Sequence, residues 1–173
     1  MKRIILTMAL VIASGFFLNI QSQEKLTEVK EAKSKQISNN SGEKTFIKQA
    51  DKSLVLIEEA AQKLSIKGVA IIAFIPGNVT KSWISKMKVV GNLTTESANL
   101  LGIACTKAAE MADTYLDSGS RVRGILSGEL GYKGGLIKKV NSGYILAVFS
   151  GGASDQDLEV AKIGLDWLSK FYQ

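Results

Sequence analysis

Gly143-Tyr144-Ile145-Leu146-Ala147-Val148-Phe149-Ser150-Gly151-Gly152-Ala153-Ser154-Asp155-Gln156-Asp157 is the stretch whose reading decides the fold. Tyr144 to Phe149 is almost wholly apolar and rich in β-formers, as expected of a strand buried on both faces. Ser150-Gly151-Gly152 interrupts it. Ser154, with Asp157 three positions on, has the spacing of a capping box, and Asp155 adds negative charge to the first helical turn. Leu158, Ala161, Leu165 and Leu168 then recur at three- and four-residue intervals, which predicts a helix from about Ser154 to Phe171 with one apolar face. A central strand, a glycine turn and a docked helix form the frame.

Working outward, Leu136 to Val140 reads as a strand joined through Asn141-Ser142-Gly143 to the central one, as an antiparallel pair. Gly128 to Gly135 is glycine-rich and irregular. Before it, Glu96 to Tyr115 carries a broad apolar helical face that includes Leu100, Ala104, Cys105, Ala108 and Met111, with Thr94 or Thr95 as its cap. Val69 to Ile75 is a second buried strand. Pro76-Gly77-Asn78 makes a turn, and a half-exposed strand follows from Val79 with Trp83 and Met87 set apart from Lys81, Lys86 and Lys88. Phe46, Ala50, Leu54, Ile57, Ala61 and Leu64 give an amphipathic helix from Thr45 to about Ser65. The order helix, hairpin, helix, hairpin, helix predicts an α/β fold of the α+β type. It is a single-domain sandwich over 45–173, its mainly antiparallel sheet packed by helices.

The start of the chain reads differently. Lys2-Arg3 precedes an apolar run from Ile4 to Leu18, shorter than a spanning helix needs, and Ser22 is a small residue at a cleavage point. Residues 1–22 are therefore expected to be a signal peptide that directs export to the periplasm or beyond. Residues 23–44, mostly charged and amide side chains, are expected to be a flexible polar leader. The whole sequence of 173 residues carries 22 Lys and Arg against 16 Asp and Glu, a formal +6. Loss of Lys2 and Arg3 takes this to +4. The basic residues are dispersed rather than clustered with aromatics, which argues against nucleic acid as a partner. There is no His and one Cys. Histidine-dependent triads, the usual zinc sites and histidine ligation of haem are thereby excluded. Cys105, within an apolar helical pattern, is expected to be a buried small hydrophobe. No catalytic set and no metal cluster is expected.

Gly151-Gly152-Ala153-Ser154-Asp155-Gln156-Asp157, followed by Ala161, Gly164-Leu165 and Leu168, resembles the terminal signature of the GlcG/HbpS-like haem-binding family, once known only as a domain of unknown function. The resemblance extends from about Phe46 to Leu168. It takes in the Pro76-Gly77-Asn78 hairpin, Lys107-Ala108 and Gly134-Gly135-Leu136-Ile137. The chain departs from the family in lacking the Asp and second Gly of the hairpin, in Glu110 for Thr, in the missing Pro after the glycine pair, and in having no His. The resemblance implies a profilin-like sandwich, a homo-oligomer, and binding of haem or a similar planar ligand in iron or redox sensing.

It also directs attention to particular residues. Tyr132 can stack on a haem edge and Lys133 can meet a propionate, with Gly134 and Gly135 completing a pocket lip; the same stretch can equally be a plain surface loop. Lys107 can point into a ligand or subunit cleft or lie on the helix surface, and Met111 can be core or a soft iron ligand. The N–H groups at Gly151-Gly152 can hold an anion, but Asp155 and Asp157 repel one, which favours a structural turn. The expected function is an exported, non-enzymatic binding protein for haem or a similar planar cofactor. The alternative is an oligomeric interaction module that partners a membrane sensor or surface assembly without a cofactor.

Overall fold

In the computed structural model the backbone is described for residues 2–172 and side chains for 23–33 and 39–172. The expected signal segment and its cleavage point lie outside the residues with described side chains. The chain divides into two units, 1–37 and 38–173. In the first, residues 23–33 are helical and exposed.

Helix α1 spans Lys2–Lys63, so the helix expected from Thr45 is the last part of a longer element. Gly42 does not break it, because the missing side chain lets the helix lie against the ring of Phe74 and the side chain of Ser142. The Tyr172 hydroxyl donates to the Gly42 carbonyl at 2.9 Å. Packing in the second unit thus includes Gly42, and its core residues run from Phe46 to Tyr172.

Four strands follow the expected order: β1 Gly68–Pro76, β2 Ile84–Val90, β3 Gly135–Val140 and β4 Gly143–Ser150. They form one antiparallel sheet in the order β2-β1-β4-β3, with Ile72 opposite Ala147 at its centre. Helix α2 spans Leu100–Thr114 and α3 Ser154–Ser169. Because strand side chains alternate, Ala70, Ile72, Phe74, Ile145, Ala147 and Phe149 face one way and pack with α1 and α3. Val69, Ile71, Ala73, Ile75, Leu146 and Val148 face the other way and pack with α2. Both central strands are buried on both faces, which is why they read as unbroken apolar runs. Each fully buried residue such as Phe149 contributes about 1.5–3 kcal/mol of apolar transfer.

Several local expectations are corrected. The α2 cap is Asn99, whose Oδ1 accepts the Gly102 N–H at 2.8 Å, while Thr95 Oγ1 accepts the Ala98 N–H at 3.0 Å in the preceding turn. At α3 the cap position falls on Ala153, and the Gln156 side chain reaches back to accept the Ala153 N–H at 3.0 Å. Asp157, expected in the capping box, turns inward instead. Strand β2 starts at Ile84 rather than Val79, since the chain leaves the sheet where Thr80 bonds to the C-terminal end of α2. Cys105 is exposed, not buried. The buried stripe of α2 runs through Leu100, Ala104, Lys107, Ala108 and Met111, and Cys105 lies one helical step off it.

Candidate functional site

Four of the six sequence-derived site residues meet at the start of β3. Lys107, on the buried face of α2, donates to Asp157 Oδ2 at 2.8 Å and to the Phe149 carbonyl at 2.9 Å. Gly134 sits against this pair, and any side chain there would run into the Lys107 ammonium and Asp157. Gly135 lies over the Met111 thioether, and Met111 is fully buried. Asp157 Oδ1 accepts the Gly152 N–H at 2.8 Å, so the glycine turn is satisfied from within. Burial pushes the Lys107 ammonium down and the Asp157 carboxyl up from their ordinary values, against the mutual attraction of their charges. Tyr132 and Lys133 are not brought into this cluster. Both are exposed on the loop that precedes it.

A second site was not singled out from the sequence. A cleft of about 680 Å³ opens between the β1–β2 connection and the C-terminal half of α2. Val79, Trp83, Ala109 and Ala112 give it an apolar lining, Lys81 and Asp113 add one charge of each sign, and Thr80 and Tyr115 add hydroxyls. The connection is pinned to the helix through Thr80. Its N–H donates to the Tyr115 hydroxyl at 2.6 Å, and its Oγ1 donates to the Ala112 carbonyl at 2.7 Å. Tyr115 caps α2 in the left-handed region, φ 57° and ψ 24°, and its ring lies 4.6 Å from that of Tyr144. The one advance signal was an aromatic, Trp83, beside a turn and a lysine, which the alternation placed on the apolar side of a half-exposed strand.

Asp113 connects this cleft to the next loop. Its Oδ2 accepts from Arg123 Nε at 2.9 Å, and the same guanidinium grips Glu129 through two bonds of 2.8 and 2.7 Å. That bidentate hold keeps the Glu129 carboxyl down at about 2, below the usual carboxylate range. Glu110, buried on α2, accepts the Gly119 N–H at 3.0 Å and anchors the start of the loop. The loop is therefore built by internal bonds, yet it displays Val122, Ile125, Leu126, Leu130 and Tyr132 to solvent.

No family model and no curated protein matches the sequence. Among solved structures, the chain is similar to the Klebsiella pneumoniae protein ORFY, a member of the family DUF336, at 16% identity over 70% of this chain and 88% of that one, with a TM-score of 0.52. It is also similar to PduOC in a haem complex, at 15% identity over 70% and 90% of the two chains, with a TM-score of 0.46. The fold is shared with a DUF336 protein. This fits the resemblance drawn from the Gly151 to Leu168 signature at the level of architecture.

Proposed function

We propose that this chain is a non-enzymatic binding protein that takes haem, or a similar flat molecule with an anionic edge, into the cleft beside Trp83. The observation that carries the reading is the cleft itself. Its volume of about 680 Å³ lies within the range of small-molecule sites, and apolar walls with a few polar groups are what such ligands require. Trp83, Val79 and Ala109 would contact the macrocycle face, and Lys81 would meet a propionate through a charge-assisted bond. When bound, haem would supply redox or sensing chemistry. Histidine ligation is excluded by composition, so an oxygen, nitrogen or sulfur donor of another type must serve at iron. The apolar run near the N-terminus supports export as the setting.

A haem titration of the chain from Gln23 onward, followed by absorbance, tests this. That chain keeps every described core residue. A saturable, shifted band at a fixed ratio of haem to chain, weakened by Trp83→Ala and Lys81→Ala, is the expected result. A linear response like that of free haem overturns it.

The exposed apolar residues of the Arg123–Glu129 loop favour a second reading, an oligomeric interaction module. Sedimentation of the same chain with and without Ile125→Asp separates the two. An assembly that dissociates in the variant, in a protein that takes up no haem, would select the second.

A further inference from the structure

Among the residues lining the cleft, Lys81, Asp113 and Tyr115 carry better donors to ferric iron than the aliphatic hydroxyls of Thr80 and Ser82. Asp113 is engaged by Arg123 in an ion pair of 2.8 Å. Lys81 is exposed and is the lining cation left to neutralise an acidic edge. Tyr115 differs from both, because its oxygen is held in a fixed place by two contacts from one residue. The Thr80 N–H lies 2.6 Å away and Thr80 Oγ1 3.0 Å away. Since Thr80 Oγ1 gives its own proton to the Ala112 carbonyl, the Tyr115 O–H donates to Thr80 Oγ1 and accepts from the Thr80 N–H. The ring plane is set by Tyr144 on the other side.

The backbone adds an independent sign. Tyr115 occupies left-handed space where helices usually end on Gly or Asn, and a bulky side chain is kept there only when its surroundings over-determine it. A glycine would end the helix without strain but would carry no hydroxyl to the cleft.

We propose that Tyr115 is the residue that bonds iron when haem occupies the cleft, and that Thr80 is the positioning residue for its oxygen; this rests on the haem reading above. In forming the bond the Tyr115 oxygen loses its proton to solvent and donates an electron pair to ferric iron, with no change of oxidation state. The Thr80 N–H continues to donate to that oxygen. The Thr80 hydroxyl can rotate from the Ala112 carbonyl to donate to it as well, so the ligand keeps two donors around it.

The test is ferric haem added to the chain from Gln23, read by absorbance and resonance Raman, with Tyr115→Phe and Thr80→Val alongside. The expected wild-type spectrum carries tyrosinate ring modes enhanced on excitation in a charge-transfer band. Tyr115→Phe loses those modes while keeping residual haem uptake through the Trp83 wall. Thr80→Val keeps the modes, shifts the iron–oxygen stretch and weakens affinity by about 10-fold. Should Tyr115→Phe fail to fold, the wild-type modes and the Thr80→Val shift decide the question. A wild-type complex without tyrosinate modes, or a Tyr115→Phe spectrum identical to wild type, overturns the assignment and leaves haem binding standing. A wild-type chain that takes up no haem overturns both.

Discussion

Lys107 and Asp157 form an ion pair at 2.8 Å with only 3% and 5% of their side chains exposed, and it joins two helices that lie on opposite faces of the sheet. The pair closes around the end of β4. Lys107 takes the Phe149 carbonyl, and Asp157 takes the N–H of Gly152 in the turn that follows. The chain segment that decides the fold is thus fastened at its bend by a residue 50 positions earlier in the sequence.

Removing either partner leaves the other charge buried without compensation. Lys107→Met or Asp157→Ala is expected to cost about 3–5 kcal/mol, whereas replacing both, as Lys107→Met with Asp157→Leu, should recover most of that loss. Urea unfolding of the three variants gives the comparison. Single variants within about 1 kcal/mol of wild type would show that the pair is not sealed from water.

Gly134 and Gly128 make a matched pair for a second prediction. Both have positive φ, 128° and 90°, so alanine is strained at either position. At Gly128 the added methyl meets open space, and the cost is the backbone term alone, about 1–2 kcal/mol. At Gly134 it would lie 2.8 Å from Asp157 Cβ and 3.0 Å from the Phe149 carbonyl oxygen, and would also displace the Lys107 ammonium. Gly134→Ala should therefore destabilise by at least as much as loss of the ion pair, while Gly128→Ala melts only slightly below wild type. Equal melting temperatures would remove the steric argument.

The contrast between these parts explains what the sequence made legible. Val69 to Ile75 and Tyr144 to Phe149 are buried on both faces, so composition alone marks them as central strands. The apolar spacing of α3 follows from its one-sided packing. Asp157 was misread because its distance from Ser154 fits a capping box, while its actual partner Lys107 is remote in sequence. Cys105 was misread because two charged residues of α2, Lys107 and Glu110, are buried, while the exposed line runs through Cys105, Ala109 and Asp113. Beyond Trp83 the cleft left no mark in the sequence, for a stronger reason: it depends on the bond of Thr80 to Tyr115 across 35 positions, and on Tyr115 ending a helix where propensity would place glycine. Neither fact has a local signature.

The last prediction concerns the loop beyond that cleft wall. Glu129 accepts two bonds from Arg123 and one from the Leu126 N–H at 3.0 Å. These bonds, that of Arg123 foremost, hold its carboxyl at about 2 against an ordinary 4.5. A depressed carboxyl stabilises the state that binds it above the ordinary value and loses that contribution as pH falls through the depressed one. The loop should therefore stay closed across the window from 4.5 down towards about 2, where free carboxylates have already titrated. Arg123 keeps its charge throughout, since the same bonds raise it further above the range. Hydrogen exchange at the Leu126 amide, corrected for its intrinsic pH dependence, reports the closed state directly. Protection should persist below pH 4.5 in wild type and be reduced in Glu129→Gln, which keeps the shape but not the charge, at every pH above about 2. Protection lost already near 4.5 would mean that the guanidinium does not hold Glu129 in solution.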